Sequence, residues 1–150
     1  MTCFSCGHTA QIPDLPPREL IVADEYWRVA HSFNSALLGW LVLIPRRHVT
    51  TIAELTDEEA ASLGGWQVRL SRALTEVTGC AKTYLAQFSE APGFGHLHFH
   101  LVPRPPEFAE HLRGPGVFSL LAGEESQSEA AQDEIALRLR ERLDGLIRSS

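Results

Sequence analysis

His96-Leu97-His98-Phe99-His100-Leu101-Val102 is the stretch on which the reading of this chain turns. In an extended segment, successive side chains point to opposite faces. His96, His98 and His100 therefore share one face, while Leu97, Phe99 and Leu101 face a core. A lone histidine is usually structural, but three of the chain's seven histidines fall at this strict alternation. With a rise of ~3.3 Å per residue, the outer two Cα atoms lie about 13 Å apart. One metal ion held ~2.1 Å from each ring would strain all three side chains toward a point. Division of labour is more natural: one imidazole acts as nucleophile or base, and another contacts an anion or a metal.

Around this row the chain reads as α+β. Glu19–Ala23 and Tyr26–His31 are two short strands with Asp24-Glu25 as the turn. The fully apolar run Trp40–Ile44 suits a central strand ended by Pro45. Thr56 and Glu59 form a capping box, and Leu63, Trp66, Leu70, Leu74 and Val77 step by three and four toward a stop at Gly79. Thr83–Phe88 and Leu97–Val102 are further strands, separated by the turn-rich loop Ser89–Gly95. Residues 1–18 are expected to be irregular because Pro13, Pro16 and Pro17 block helix. Pro103–Gly123 reads as a loop, and Ile135, Leu139, Leu143 and Leu146 mark a C-terminal helix. The expected architecture is a mostly antiparallel sheet with a central and a C-terminal helix.

Composition bounds the function. A chain of 150 residues with 44% hydrophobic and 21% charged residues is one ordinary globular domain. Thirteen basic against nineteen acidic residues leave a net charge of −6, which argues against a protein that coats a nucleic-acid polymer. A small anion remains possible, because one pocket can be locally positive. No run approaches the ~20 apolar residues of a membrane span. Three cysteines do not make a disulfide framework, and MTCFSCGHTAQ lacks a basic region followed by an apolar core, so a reduced cytoplasmic setting is expected.

The His96–Val102 segment resembles the His-φ-His-φ-His-φ-φ signature of the histidine-triad superfamily of nucleotide hydrolases and transferases, in its bacterial zinc-bearing type. Gly39-Trp40-Leu-Val-Leu-Ile-Pro45-Arg-Arg-His48 resembles that family's Gly-His-x-Leu-Val-x-Pro-x-x-His segment. Leu55-Thr-Asp-Glu-Glu-Ala60 resembles the start of its helix. The likeness covers residues 3–104, leaving 105–150 as a C-terminal extension packed on the same domain or a partner subunit. It implies the five-stranded histidine-triad fold and a homodimer. It also implies a purine nucleotide or dinucleoside polyphosphate, or a nucleoside phosphoramidate, as substrate. His98 would attack the α-phosphorus and form a nucleotidyl-histidine. His100, Gln87 and the backbone of Gly93, Phe94 and Gly95 would hold phosphate. Ser32 and Asn34 stand where the family places a ribose-binding acid. Trp40 replaces a family histidine, and Ala91-Pro92-Gly93 replaces its Gly-Gln-[Ser/Thr]. A nucleotide-binding regulatory module with little turnover is the alternative.

Cys3-Phe-Ser-Cys6 has the spacing of a structural zinc knuckle, although such a pair can also be incidental. The resemblance supplies the missing ligands, His48 and His96, with His8 a rival because of its proximity to Cys6. A zinc-dependent interaction protein without nucleotide chemistry is a third reading. Cys80, Trp27, Trp40 and Trp66 are expected in the core, with Trp27 or Phe33 a candidate to flank a base.

Overall fold

In the computed structural model, which describes residues 2–148, the sequence-encoded caps set the longest helix. Thr56 Oγ1 accepts the Glu59 N–H at 3.1 Å, and the Glu59 carboxylate accepts the Thr56 N–H at 2.8 Å. Helix α2 runs Asp57–Thr78 and ends on Gly79, whose φ of +70° is the left-handed conformation a glycine cap favours. Glu59 is buried, and Arg47 meets it at 2.9 Å, so the cap also ties the helix to the end of a strand.

Strands β1 (Val22–Ala23), β2 (Trp27–His31), β3 (Leu41–Pro45), β4 (Lys82–Ala86) and β5 (Phe99–Arg104) form one antiparallel sheet in the order β1-β2-β3-β5-β4. One sheet face carries Trp27, Val29, Leu41, Leu43, Leu97, Phe99 and Leu101 into the core, against Trp66, Leu70 and Leu74 of α2. Helix α3 (Glu129–Arg148) adds Ile135, Leu139 and Leu143 to the same core, as their spacing predicts; the Leu146 side chain lies outside the described residues. The other sheet face is left for the functional site.

Some expected boundaries change. Residues Phe4–Thr9 form a short helix, α1, where irregular chain was expected: Cys3 Sγ caps its start, and Pro13 lies beyond its end. The expected strand from Glu19 shortens to Val22–Ala23, because Pro17–Glu19 turns as a 3₁₀ segment with its leading proline in the first position. The ladder of β5 begins at Phe99 rather than Leu97. The Leu97 N–H donates to Val49 O and the His98 N–H to Ser89 Oγ, so neither joins a neighbouring strand. The side-chain alternation nevertheless holds, with Leu97 in the core and His98 half-buried on the opposite face. The proline-rich 103–123 segment contains 3₁₀ turns at Glu110–Leu112 and Gly114–Leu120. It packs Val117 and Phe118 onto Trp40 and Val102.

Candidate active site and metal centre

The triad segment projects His96, His98 and His100 from one face, His31 of β2 lies on the core-facing side with Trp27 and Val29, and a hydrogen bond to backbone or to Trp40 sets the proton on each ring. The His98 Nδ1–H donates to the His96 carbonyl at 2.8 Å, which leaves His98 Nε2 with a free lone pair. His100 Nδ1 accepts the Trp40 indole N–H at 2.9 Å, so its proton sits on Nε2 as a donor. Burial and then the nearby His98 push the His100 pKa down to about 4, so the ring is neutral near pH 7. The His96 Nε2–H donates to the Pro45 carbonyl at 2.7 Å and frees Nδ1. His31 is satisfied at both nitrogens, donating from Nδ1 to Ser32 O at 2.7 Å and accepting the Gly39 N–H at 2.9 Å. Burial lowers its pKa to about 4, and its role is structural.

A cavity of about 240 Å³ opens over His98 and His100. Its floor is the sheet face, with Arg28, Ala30, Val42 and Ile44. Its apolar wall includes Phe4, Phe33 and Phe94. Ring centroids in that wall lie 5.1–5.7 Å apart. Phe118 closes the His100 side edge-on at 5.0 Å, and Phe88 meets Phe118 at 5.4 Å. The cavity thus pairs an aromatic compartment with a polar end carrying one free imidazole nitrogen and one imidazole donor.

A second cluster lies behind His98. Cys3, Cys6, His48 and His96 present ligand atoms that all fall within 4.8 Å of one another. The Cys6 Sγ to His48 Nδ1 separation is 3.3 Å, Cys3 Sγ to His96 Nδ1 is 3.5 Å, and His48 Nδ1 to His96 Nδ1 is 3.2 Å. A tetrahedral zinc with bonds of ~2.1 Å to nitrogen and ~2.3 Å to sulfur requires ligand edges of about 3.4–3.8 Å. The cluster therefore fits a structural zinc ion with all four corners supplied by protein. The His96 bond to Pro45 orients that ligand from the outer shell. Burial, then Cys3, raises the Cys6 thiol pKa, and burial lowers that of His96. His8 stands apart from the cluster, bonded through Nδ1 to Phe4 O and 3.7 Å from Glu19.

No family model matches the chain. Solved structures do resemble it. A zinc-bound histidine-triad family protein from Mycobacterium smegmatis superposes with a TM-score of 0.72 at 21% identity, covering 100% of this chain and 99% of that one. A histidine-triad protein from Bradyrhizobium japonicum gives 0.68 at 25% identity, over 82% of this chain and 88% of its own. The chain has the histidine-triad fold. A hypothetical histidine-triad nucleotide-binding protein from Sulfolobus tokodaii gives 0.71 at 19% identity over 95% of both chains.

Within this histidine-triad fold, His98, His100, Ser32, Asn34 and Phe94 line one cavity. Ser32 Oγ donates to Asn34 Oδ1 at 3.1 Å. Gln87 does not line the cavity; its amide donates to Ser89 Oγ at 2.9 Å, and that oxygen in turn accepts the His98 N–H. Gly93, at φ +84°, and Gly95 are exposed in the loop beside Phe94. Trp27 lies in the core with its indole on Glu59 O, so of the two proposed base-flanking residues only Phe33 reaches the cavity. Sequence reasoning missed Phe4, Arg28, Glu19, Ser89 and Phe118. A charged Arg28 inside a strand was a legible signal; Phe118 had none.

Proposed function

We propose that the protein is a nucleotide hydrolase or nucleotidyl transferase acting at an α-phosphate, with His98 as nucleophile. The observation that carries this is the His98 Nδ1–H to His96 O bond, which occupies Nδ1 and leaves Nε2 as the nitrogen for attack at the polar end of the cavity. His98 Nε2 forms a bond to phosphorus as the bond to the leaving group breaks. Water then attacks phosphorus, the P–N bond breaks, a proton is released and a nucleoside monophosphate departs. His100 Nε2–H donates to a phosphate oxygen; the N–H groups of Gly93 and Gly95, beside the cavity, add further donors, while the Phe94 N–H is engaged by Ala91 O at 2.9 Å. Ser32 and Asn34 face the ribose, and Phe4, Phe33 and Phe94 pack on the base. The zinc ion at Cys3, Cys6, His48 and His96 is structural: it clamps α1, and with it Phe4, beside the triad.

We assign residues 1–104 as the catalytic unit and 105–150 as an extension that supplies Phe118 and α3. We assign the protein to the cytoplasm. A homodimer across the β4 edge fits the exposed Leu85 of β4 and Val68 of the neighbouring α2; a monomeric mass by light scattering at micromolar concentration would remove it.

The test is incubation of purified, zinc-loaded protein with a diadenosine or diguanosine polyphosphate and with nucleoside phosphoramidates. The expected result is release of nucleoside monophosphate, abolished in His98→Asn, with a nucleotidyl adduct on His98 detectable by mass spectrometry after acid-free quench. Equal turnover by His98→Asn would overturn the assignment. Tight binding without release would select the regulatory reading.

A further inference from the structure

Beneath the aromatic wall lies a buried charge pair that the proposed chemistry leaves unused. Arg28 is fully buried in β2, and Glu19 is buried beside it; both line the cavity. The Arg28 side chain is only 1% exposed. Its Nη1 donates to the Glu19 carbonyl at 2.7 Å, and its Nε reaches Thr9 Oγ1 at 3.4 Å. Among the described residues, nothing accepts from Nη2. The Glu19 carboxylate stands 3.5 Å from Arg28 Nη1 and 3.7 Å from His8 Nε2. Charge-assisted hydrogen bonds are shorter, about 2.7–2.9 Å. A buried ion pair costs stability unless its remaining donors and acceptors find partners. Arg28 Nη2 and the Glu19 carboxylate are not among the buried atoms without a partner, and both belong to residues on the floor of a ligand cavity, where a ligand can complete their hydrogen bonding.

Sheet register fixes its place. Arg28 pairs with Ile44, and Val42 pairs with His100. His98 lies one residue before the first paired residue, Phe99, and projects from the same face as His100, which sets it beside the Arg28–Ile44 pair at the end of the sheet. At ~4.8 Å per strand, Arg28 and His98 are about 10 Å apart. A nucleotide with its α-phosphorus at His98 extends its base a comparable distance across the sheet, past Phe33 and Phe94.

On the reading of the cavity as a nucleotide site, we propose that Arg28 and Glu19 read the polar edge of a guanine base, making the preferred ligand a guanine nucleotide. Guanine carries an acceptor, O6, next to two donors, N1–H and the N2 amine. A guanidinium nitrogen suits O6, and an adjacent carboxylate accepts both donors. Adenine offers the carboxylate one amine and no ring N–H. The pyrimidines share part of this pattern but are one ring shorter.

The test is calorimetric titration of the unmutated, zinc-loaded protein with GMP, IMP, AMP, CMP and ribose 5-phosphate, followed by Glu19→Gln. GMP should bind about tenfold more tightly than AMP, with IMP between them because it lacks the N2 amine. In Glu19→Gln the GMP preference over AMP should fall to within about twofold. AMP binding as tightly as GMP, or GMP no more tightly than ribose 5-phosphate, would overturn the base-reading role and leave the phosphate site standing. Failure of every compound to bind would overturn the nucleotide reading and this inference with it. The panel on the unmutated chain decides the question even if the variant does not fold.

Discussion

Replacing Trp40 by Phe removes one N–H from the centre of the site while keeping an aromatic ring. Trp40 is fully buried, and its indole N–H is the group that holds His100 in the Nε2–H form. Leaving a buried imidazole nitrogen without its partner costs about 1–3 kcal/mol. That lowers the melting temperature of a domain this size by roughly 2–12 °C. Nitrogen-15 NMR of the imidazoles reads the chemistry directly. In the variant, His100 should populate both neutral tautomers, and nucleoside monophosphate should bind about twofold more weakly, because the donor facing phosphate is present only about half of the time. A variant whose His100 stays wholly in the Nε2–H form, with unchanged melting temperature, would refute the role given to Trp40.

Other perturbations follow from the same geometry. His31 and His100 both have folded pKa values of about 4, below the ordinary 6.5, so between those values the unfolded chain binds more protons. Their stabilisation is complete above pH ~6.5 and is lost as pH falls toward 4; thermal melts at pH 7, 6 and 5 should decline, with a shallower decline in His31→Gln. Cys6→Ser, or prolonged chelation, should release one zinc per chain by atomic absorption, lower the melting temperature and weaken nucleotide binding, because Phe4 and Ser5 of α1 line the cavity. Nucleotide affinity that is indifferent to the metal would separate the two sites. Leu139→Ala, at a fully buried contact of α3 with the core, should cost about 2–5 kcal/mol by denaturant titration; a cost below ~1 kcal/mol would mean α3 is not part of the core. Gly39 has φ +94°, and an added Cβ would meet Pro103 Cγ at 3.1 Å, so Gly39→Ala should destabilise through both strain and contact.

Much of the architecture was legible in residue order. Thr56 and Glu59 marked the start of α2 and Gly79 its end, because a cap is a local hydrogen bond encoded within four residues. The β2 and β3 strands were legible as apolar runs, and α3 as a step of three and four. The 1–18 segment was not. Prolines at 13, 16 and 17 suggested irregular chain, but α1 lies before them, capped by a cysteine sulfur that local propensity scales do not count. The start of β5 was misplaced by two residues because its alternation persists where its ladder bonds do not.

Side-chain alternation, a period-two property of any extended chain, was enough to put three imidazoles on one face. The Cys3–Cys6 spacing marked a metal-binding pair, and the resemblance, not the alternation, supplied His48 and His96 as its other two ligands. What no local pattern carried was the partner of each ring nitrogen. The His96 carbonyl that sets the His98 tautomer is only two residues away, but the Pro45 and Trp40 groups that set the other two come from segments brought together by sheet register and by the turn before β5. Likewise Phe118 and the Glu19–Arg28 pair meet the cavity through contacts between distant parts of the chain. Hydrogen bonds and cavity walls depend on distances of a few ångströms between remote residues, and packing alone sets those distances.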